Sequence, residues 1–174
     1  MMILSGLNFI ENTQLDLVDE ILIDWSEQRP DIDCHGKEIV SRMVIFYSKY
    51  ISMLEKALKP LALSPTVFSV LVTIRRKGPQ AEVNIKKMIQ EVLITSGAMS
   101  NLLTRLIDMG LITKRPDEED ARSMRVQLTS VGLELIDKAM EIQAACERRF
   151  VQALSREEQK QMSSLLKKMH VEVY

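Results

Sequence analysis

Residues Thr95–Ile112 read TSGAMSNLLTRLIDMGLI, and the fold turns on what this stretch is. Threonine caps a helix through its side-chain oxygen, so Thr95-Ser96 opens one, and Gly110 ends it as a glycine able to adopt the left-handed conformation. Within that helix Leu102 or Leu103, Leu106 and Ile107, with Leu111 beyond the glycine, supply a packing side. Ser96, Gly97, Ser100, Asn101 and Thr104 supply the opposite face. That face is small and polar, so it can lie close in a major groove, where Asn bonds an adenine edge through two atoms and Ser donates or accepts. The amides beside Thr95 can hold a phosphate. Taken alone, the same pattern also describes an ordinary amphipathic helix with a solvated face, so its neighbours decide.

Downstream, the period changes from helical to alternating. Leu111–Arg115 reads as a strand and Met124–Leu128 as its partner, with the charged tip PDEEDARS between them. Lys114, Arg115, Arg122 and Arg125 lie on or beside this hairpin. An arginine at such a tip can enter a narrow minor groove, where the negative potential is enhanced. Asp120 is placed to orient a neighbouring arginine through a charge-assisted hydrogen bond. Upstream, Ser64-Pro65 starts a helix carrying Val67, Phe68, Leu71, Val72 and Ile74, which Gly78-Pro79 stops. A short helix is expected over Glu82–Ile89. Helix, helix and two-stranded wing in this order make a DNA-reading module.

Outside the module the chain reads as helices. Leu15, Val18, Ile21, Leu22 and Trp25 share a helical face; RPDIDCHG, Arg29–Gly36, breaks it; Ile39, Met43, Phe46, Tyr47, Tyr50, Leu54 and Leu58 form the next stripe. Thr129 caps a helix with Leu135, Ala139, Ile142, Cys146 and Phe150 in phase, and Ser155-x-x-Glu158 is a capping box opening the last helix, with Met162, Leu165, Leu166 and Met169. The expected fold is mainly α (α+β): N-terminal helices of a dimerisation region over 1–60, a winged helix-turn-helix over 61–129, and C-terminal dimerisation helices over 130–174. The terminal stripes are too wide for a small winged module to cover, so they call for a second copy in an isologous homodimer. The other solution is a monomer folded back on one core.

Bulk properties agree without deciding. The 174 residues are 46% hydrophobic and 27% charged, with net charge −1. Between Arg75 and Arg125 there are 10 Lys+Arg and 7 Asp+Glu, a local net of +3 against −4 elsewhere. Cys34 and Cys146 form no Cys-x-x-Cys, and His35 and His170 have no metal-ligand spacing, so no metal or cofactor is implied. No phosphate loop, His-Glu-x-x-His or nucleophile elbow appears, which argues against an enzyme. No uncharged apolar run approaches the ~18 residues of a membrane helix, and the N-terminus lacks a basic segment, so a cytoplasmic protein is expected.

The stretches LSPTVFSVL, TSGAMSNLLTRLIDMGLI, KRPDEEDARS, VQLTSVG and LSREEQKQMSSLLKKM resemble the MarR family of winged helix-turn-helix regulators. The resemblance covers well over half the chain and is most specific at Asp120-Ala121-Arg122. It implies a symmetric dimer that binds a pseudo-palindromic operator in double-stranded DNA, usually as a repressor, with Asn101 in the major groove and Arg122 in the minor groove. It also implies a small aromatic or anionic effector between the dimer helices and the module, for which Trp25, Met43, Phe46, Tyr47 and Tyr50 are candidate lining. Those side chains have the alternative of being plain core. The N-terminal helix with Trp25 and Arg29-Pro30-Asp31 is similar to the urate-responsive subgroup, although Leu102 stands where that subgroup usually has an arginine; RPDID is similar to PapX-like members encoded with fimbrial operons. Arg105 is expected to pair with an acid. Cys34, ahead of a helix with Tyr47 and Tyr50, is either an inert thiol or, as in peroxide-sensing members, a reactive thiolate. The alternative to DNA reading is a winged-helix protein-interaction adaptor, for which the acidic patch Asp117–Asp120 speaks.

Overall fold

The computed structural model describes residues 14–92, 94–118, 120 and 123–173, with side chains through His170. Helices α1 (Leu17–Gln28), α2 (His35–Leu58), α3 (Pro65–Arg75), α4 (Ile85–Val92), α5 (Ser96–Asp108), α6 (Ser130–Phe150) and α7 (Arg156–Val173) alternate with strands β1 (Val83–Asn84), β2 (Ile112–Pro116) and β3 (Met124–Leu128). The residues divide into two compact units, one ending at Lys49 and the other beginning at Tyr50, with the division falling inside α2.

In the first unit, α1 starts at a capping box that the sequence reading did not identify. The Asp16 side chain accepts from the Val18 and Asp19 amides, and Asp19 answers by accepting from the Asp16 amide. Arg42 of α2 clamps both carboxylates, at 3.1 Å from Asp16 and 2.6 Å from Asp19. Past the end of α1, Arg29 grips Asp31 through two parallel bonds of 2.8 and 2.6 Å.

The second unit holds the main core. Leu58, Val70, Leu71, Ile74, Met88, Met99, Leu106, Ile136 and Ala139 are completely shielded from solvent. They come from α2, α3, α4, α5 and α6, so α5 is built into the centre of this unit. Helices α3, α5, α6 and α7 begin where their cap residues dictate. The Ser64 side chain accepts from Val67 N, Thr95 from Ala98 N, Thr129 from Gly132 N and Ser155 from Glu158 N. Glu158 in turn accepts from Ser155 N at 2.7 Å, completing the expected box.

A three-stranded antiparallel sheet, ordered β1-β3-β2, lies against these helices. Ile112 pairs with Leu128, Lys114 with Val126 and Arg115 with Arg125. On the other side of β3, Val83 pairs with Val126 and Asn84 with Arg125. The expected helix over Glu82–Ile89 is therefore corrected at its start. Val83 and Asn84 are taken by the sheet, and α4 begins only at Ile85.

Candidate nucleic-acid interface

Helix α5 packs through Met99, Leu103 and Leu106, a spacing of four and three that puts all three in the core. Leu102 is half-buried at its margin, and Ile107, expected on the packing side, is exposed instead. Met99 was missed because it sits in the first turn among small residues, where the stripe is too short to fix its phase. The helix ends at Gly110, whose φ of +69° suits glycine. Gly110 N donates to Ile107 O at 2.8 Å and Leu111 N to Leu106 O at 3.0 Å, the paired bonds of a Schellman turn.

That turn is fastened to α6. Thr129 Oγ1 donates to Gly110 O at 2.7 Å, and Thr129 N donates to Leu111 O at 3.0 Å. Gly132 of α6 approaches so closely that an added Cβ would lie 1.9 Å from Leu111 O. One threonine and one glycine thus fix the exit of α5 against the first turn of α6.

The other face of α5 is open. Ser96, Gly97, Ser100, Asn101 and Thr104 are all exposed. An added Cβ at Gly97 would meet nothing within 4 Å, so no packing in this chain requires glycine there. Thr95 uses its hydroxyl oxygen as the cap, and Thr104 donates its hydroxyl to Ser100 O at 3.1 Å. Asn101 keeps its amide exposed, as base-edge recognition would require.

The wing is pinned by charge. Arg125 Nε meets the buried Asp117 carboxylate at 2.9 Å, and Lys86 of α4 meets Asp120 at 3.0 Å. Arg115 bonds Glu82 and also Glu118, and the Arg115 contact holds the Glu82 carboxyl below the usual glutamate range. Lys114 is exposed on β2. Of the residues singled out from sequence, Arg122 lies outside the described residues. Asp120 is tied to α4, and Arg125 is turned back into the root of the wing. The binding of Arg125 to Asp117 could not be read from spacing, because four acids stand within reach along the chain.

Arg105 makes no ion pair among the described residues, contrary to expectation. It lines a recess of about 400 Å³ with Glu55, Lys56, Lys59 and Ser64. Of the candidate effector residues, Trp25, Met43, Phe46 and Tyr47 are exposed, and the Lys37 ammonium stands 5.3 Å from the Trp25 ring centre. In the second unit, the Tyr50 hydroxyl contacts Glu147 at 3.3 Å and accepts from Gln143 at 3.2 Å. Burial pushes its phenol up, and its ring meets Phe150 edge-on at 5.5 Å. Cys34 is a half-exposed free thiol and Cys146 a buried one. Among the described residues no group of side chains could hold a metal ion, and no single helix is long and apolar enough to cross a membrane.

The capped helix α5, a sheet-borne wing and the helices that support them define a winged helix-turn-helix protein. Residues 63–124 match the MarR family model, so this winged segment is of the MarR type. It is 28% identical over 152 residues to the HTH-type transcriptional regulator PecS of Dickeya dadantii (strain 3937), covering 86% of this chain and 90% of that one. The fold is shared with a cysteine-to-serine mutant of MarR from E. coli complexed with operator DNA, at TM-score 0.69 and 22% identity, covering 83% and 96%. It is shared also with AbsC of Streptomyces coelicolor, a MarR family transcriptional regulator, at TM-score 0.73 and 20% identity, covering 82% and 96%.

Proposed function

We propose that this protein is a sequence-specific repressor that binds a pseudo-palindromic operator in double-stranded DNA as a homodimer and is released by a small aromatic or anionic ligand. The observation that carries the reading is the exposed small polar face of α5, capped at Thr95 and backed by the core through Met99, Leu103 and Leu106. A helix whose outer side is small and polar over its first turns can enter a major groove, with Asn101 at base edges and Arg122 reaching the adjacent minor groove. The fold shared with an operator-bound MarR supports the same placement.

Pairing is supported by apolar surface that one copy leaves uncovered. Met162, Leu165, Leu166 and Met169 along α7 are exposed, as are Val40, Val44 and Tyr47 along α2. Residues 1–60 and 130–174 then serve dimerisation and 61–129 reads DNA. Two copies put two reading helices on one duplex, with half-sites about 10 base pairs apart. A dimer seated on a promoter in the cytoplasm represses by excluding polymerase. A ligand binding against Trp25, Met43, Phe46, Tyr47 and Tyr50 releases it by favouring another arrangement of the dimer.

Selection of bound sequences from random duplex DNA tests this directly. The expected result is an inverted repeat whose affinity falls with salt at a slope of about −0.9 per phosphate contact. Recovery of no preferred sequence at moderate ionic strength would overturn it.

A further inference from the structure

We infer that Asn84 is a positioning residue for DNA reading: it ties both arms of the wing's root to the start of α4 and so fixes where the wing meets the duplex. The inference rests on the DNA-reading proposal. Asn84 is the last residue of β1. Its side-chain oxygen accepts from Lys86 N at 3.0 Å, in the manner of a helix cap. Its amide nitrogen donates to Asp117 Oδ2 at 2.9 Å and to Ser123 Oγ at 2.8 Å. Asp117 follows the last residue of β2, and Ser123 precedes the first residue of β3. A single side chain therefore spans the two strands where they leave the sheet for the tip, and its one acceptor and both amide hydrogens are engaged.

The surroundings favour this node over the other ties to the wing. The Asp117 side chain is 3% exposed and Ser123 is 2% exposed, so their bonds are shielded from water. Asp117 N also donates to Ser123 O at 3.0 Å, closing the hairpin at the same level. The Lys86–Asp120 and Arg115–Glu118 pairs are solvent-facing and contribute little rigidity. Asn84 is not part of the apolar core, so its loss leaves the packing of α5 intact. Capping α4 requires only an acceptor, which Ser, Thr or Asp would also supply. Joining Asp117 to Ser123 requires two donors on one side chain, which among these capping residues only asparagine adds.

Asn84→Thr separates the two roles, since it keeps the cap acceptor and leaves one hydroxyl donor where asparagine has two amide hydrogens, so Asp117 and Ser123 can no longer both be held. Four measurements on the full chain decide: operator affinity, melting temperature, amide exchange at Asp117 and Ser123, and dimethyl sulfate protection on the selected operator. The last reads guanine N7 in the major groove and adenine N3 in the minor groove. Expected are exchange faster by about tenfold at both amides and affinity lower by about tenfold, from the loss of a bond to a charged group. Adenine protection under the wing is lost, while guanine protection at saturating protein and the melting temperature hold. Unchanged exchange and unchanged adenine protection would overturn the inference. So would loss of protection in both grooves in step with a fall in melting temperature. If the unsubstituted protein protects neither groove, DNA reading itself has failed, and faster exchange in Asn84→Thr would still mark the wing lock.

Discussion

Two glycines of the second unit have opposite reasons to be glycine. Gly132 has no room: a methyl there would collide with the Leu111 carbonyl. Gly132→Ala is expected to destabilise the fold by about 1–3 kcal/mol through overpacking, read as a lower denaturant midpoint with an unchanged slope. Gly97 has room on all sides within its own chain. Gly97→Ala should raise stability by up to about 1 kcal/mol, because alanine loses less backbone freedom in a helix. The same methyl stands where the proposed duplex comes close, so operator affinity should fall. A rise in both quantities would place the DNA elsewhere. Asn101→Ala should cost about 1–3 kcal/mol at one base step and leave other positions unchanged, measured against a panel of operator variants. Uniform weakening across the panel would remove Asn101 from base reading.

At the scale of elements, the sequence was legible where structure is local. Ser64, Thr95, Thr129 and Ser155 cap helices at the positions their types announce, and Gly110 ends α5 as a left-handed glycine. These signals act within four residues, so no tertiary knowledge is needed. The two-residue strand β1 was not legible, because its only cause is pairing with β3 some 40 residues later. For the same reason the Arg125–Asp117 and Asn84–Asp117 contacts, which build the wing's root, were invisible from spacing. The exposure of Ile107 shows the limit of periodicity near a helix end, where the turn to Gly110 carries the chain away from the core. Beside the wing, the Glu82 carboxyl has a depressed pKa because Arg115 bonds its charged form. A group of this kind contributes stability above its unfolded pKa and loses it as pH falls through its folded one. The wing should therefore loosen on acidification below the usual glutamate range, and Glu82→Gln should blunt that part of the acid response in amide exchange at β2.

For the whole molecule, the apolar stripe of α7 predicts its oligomeric state. Leu165 is 64% exposed in the single chain and stands with the exposed Met162, Leu166 and Met169 on the face that the proposed pairing would cover. Leu165→Glu should shift sedimentation toward the monomer, lower the melting temperature at micromolar protein, and weaken operator binding. Sedimentation as a monomer by the unsubstituted chain would refute the paired reading. The family was legible from sequence because its signature lies in contiguous stretches. The candidate effector residues carried no such signature, since they are scattered along two helices with spacings that also suit plain packing.

The fastening of Gly110 and Leu111 to Thr129 and Gly132 bears on how the protein can be taken apart. The turn that ends α5 is held by bonds from the cap of the helix that follows the wing, and Ile136 and Ala139 of that helix complete the core behind it. A fragment cut after the second wing strand would keep every proposed base-contacting side chain yet expose the Leu111 carbonyl and an unfilled apolar cleft. The smallest autonomous winged unit therefore extends well into α6, and the segment that reads from the sequence as the start of a separate C-terminal helical region is the keystone of that unit.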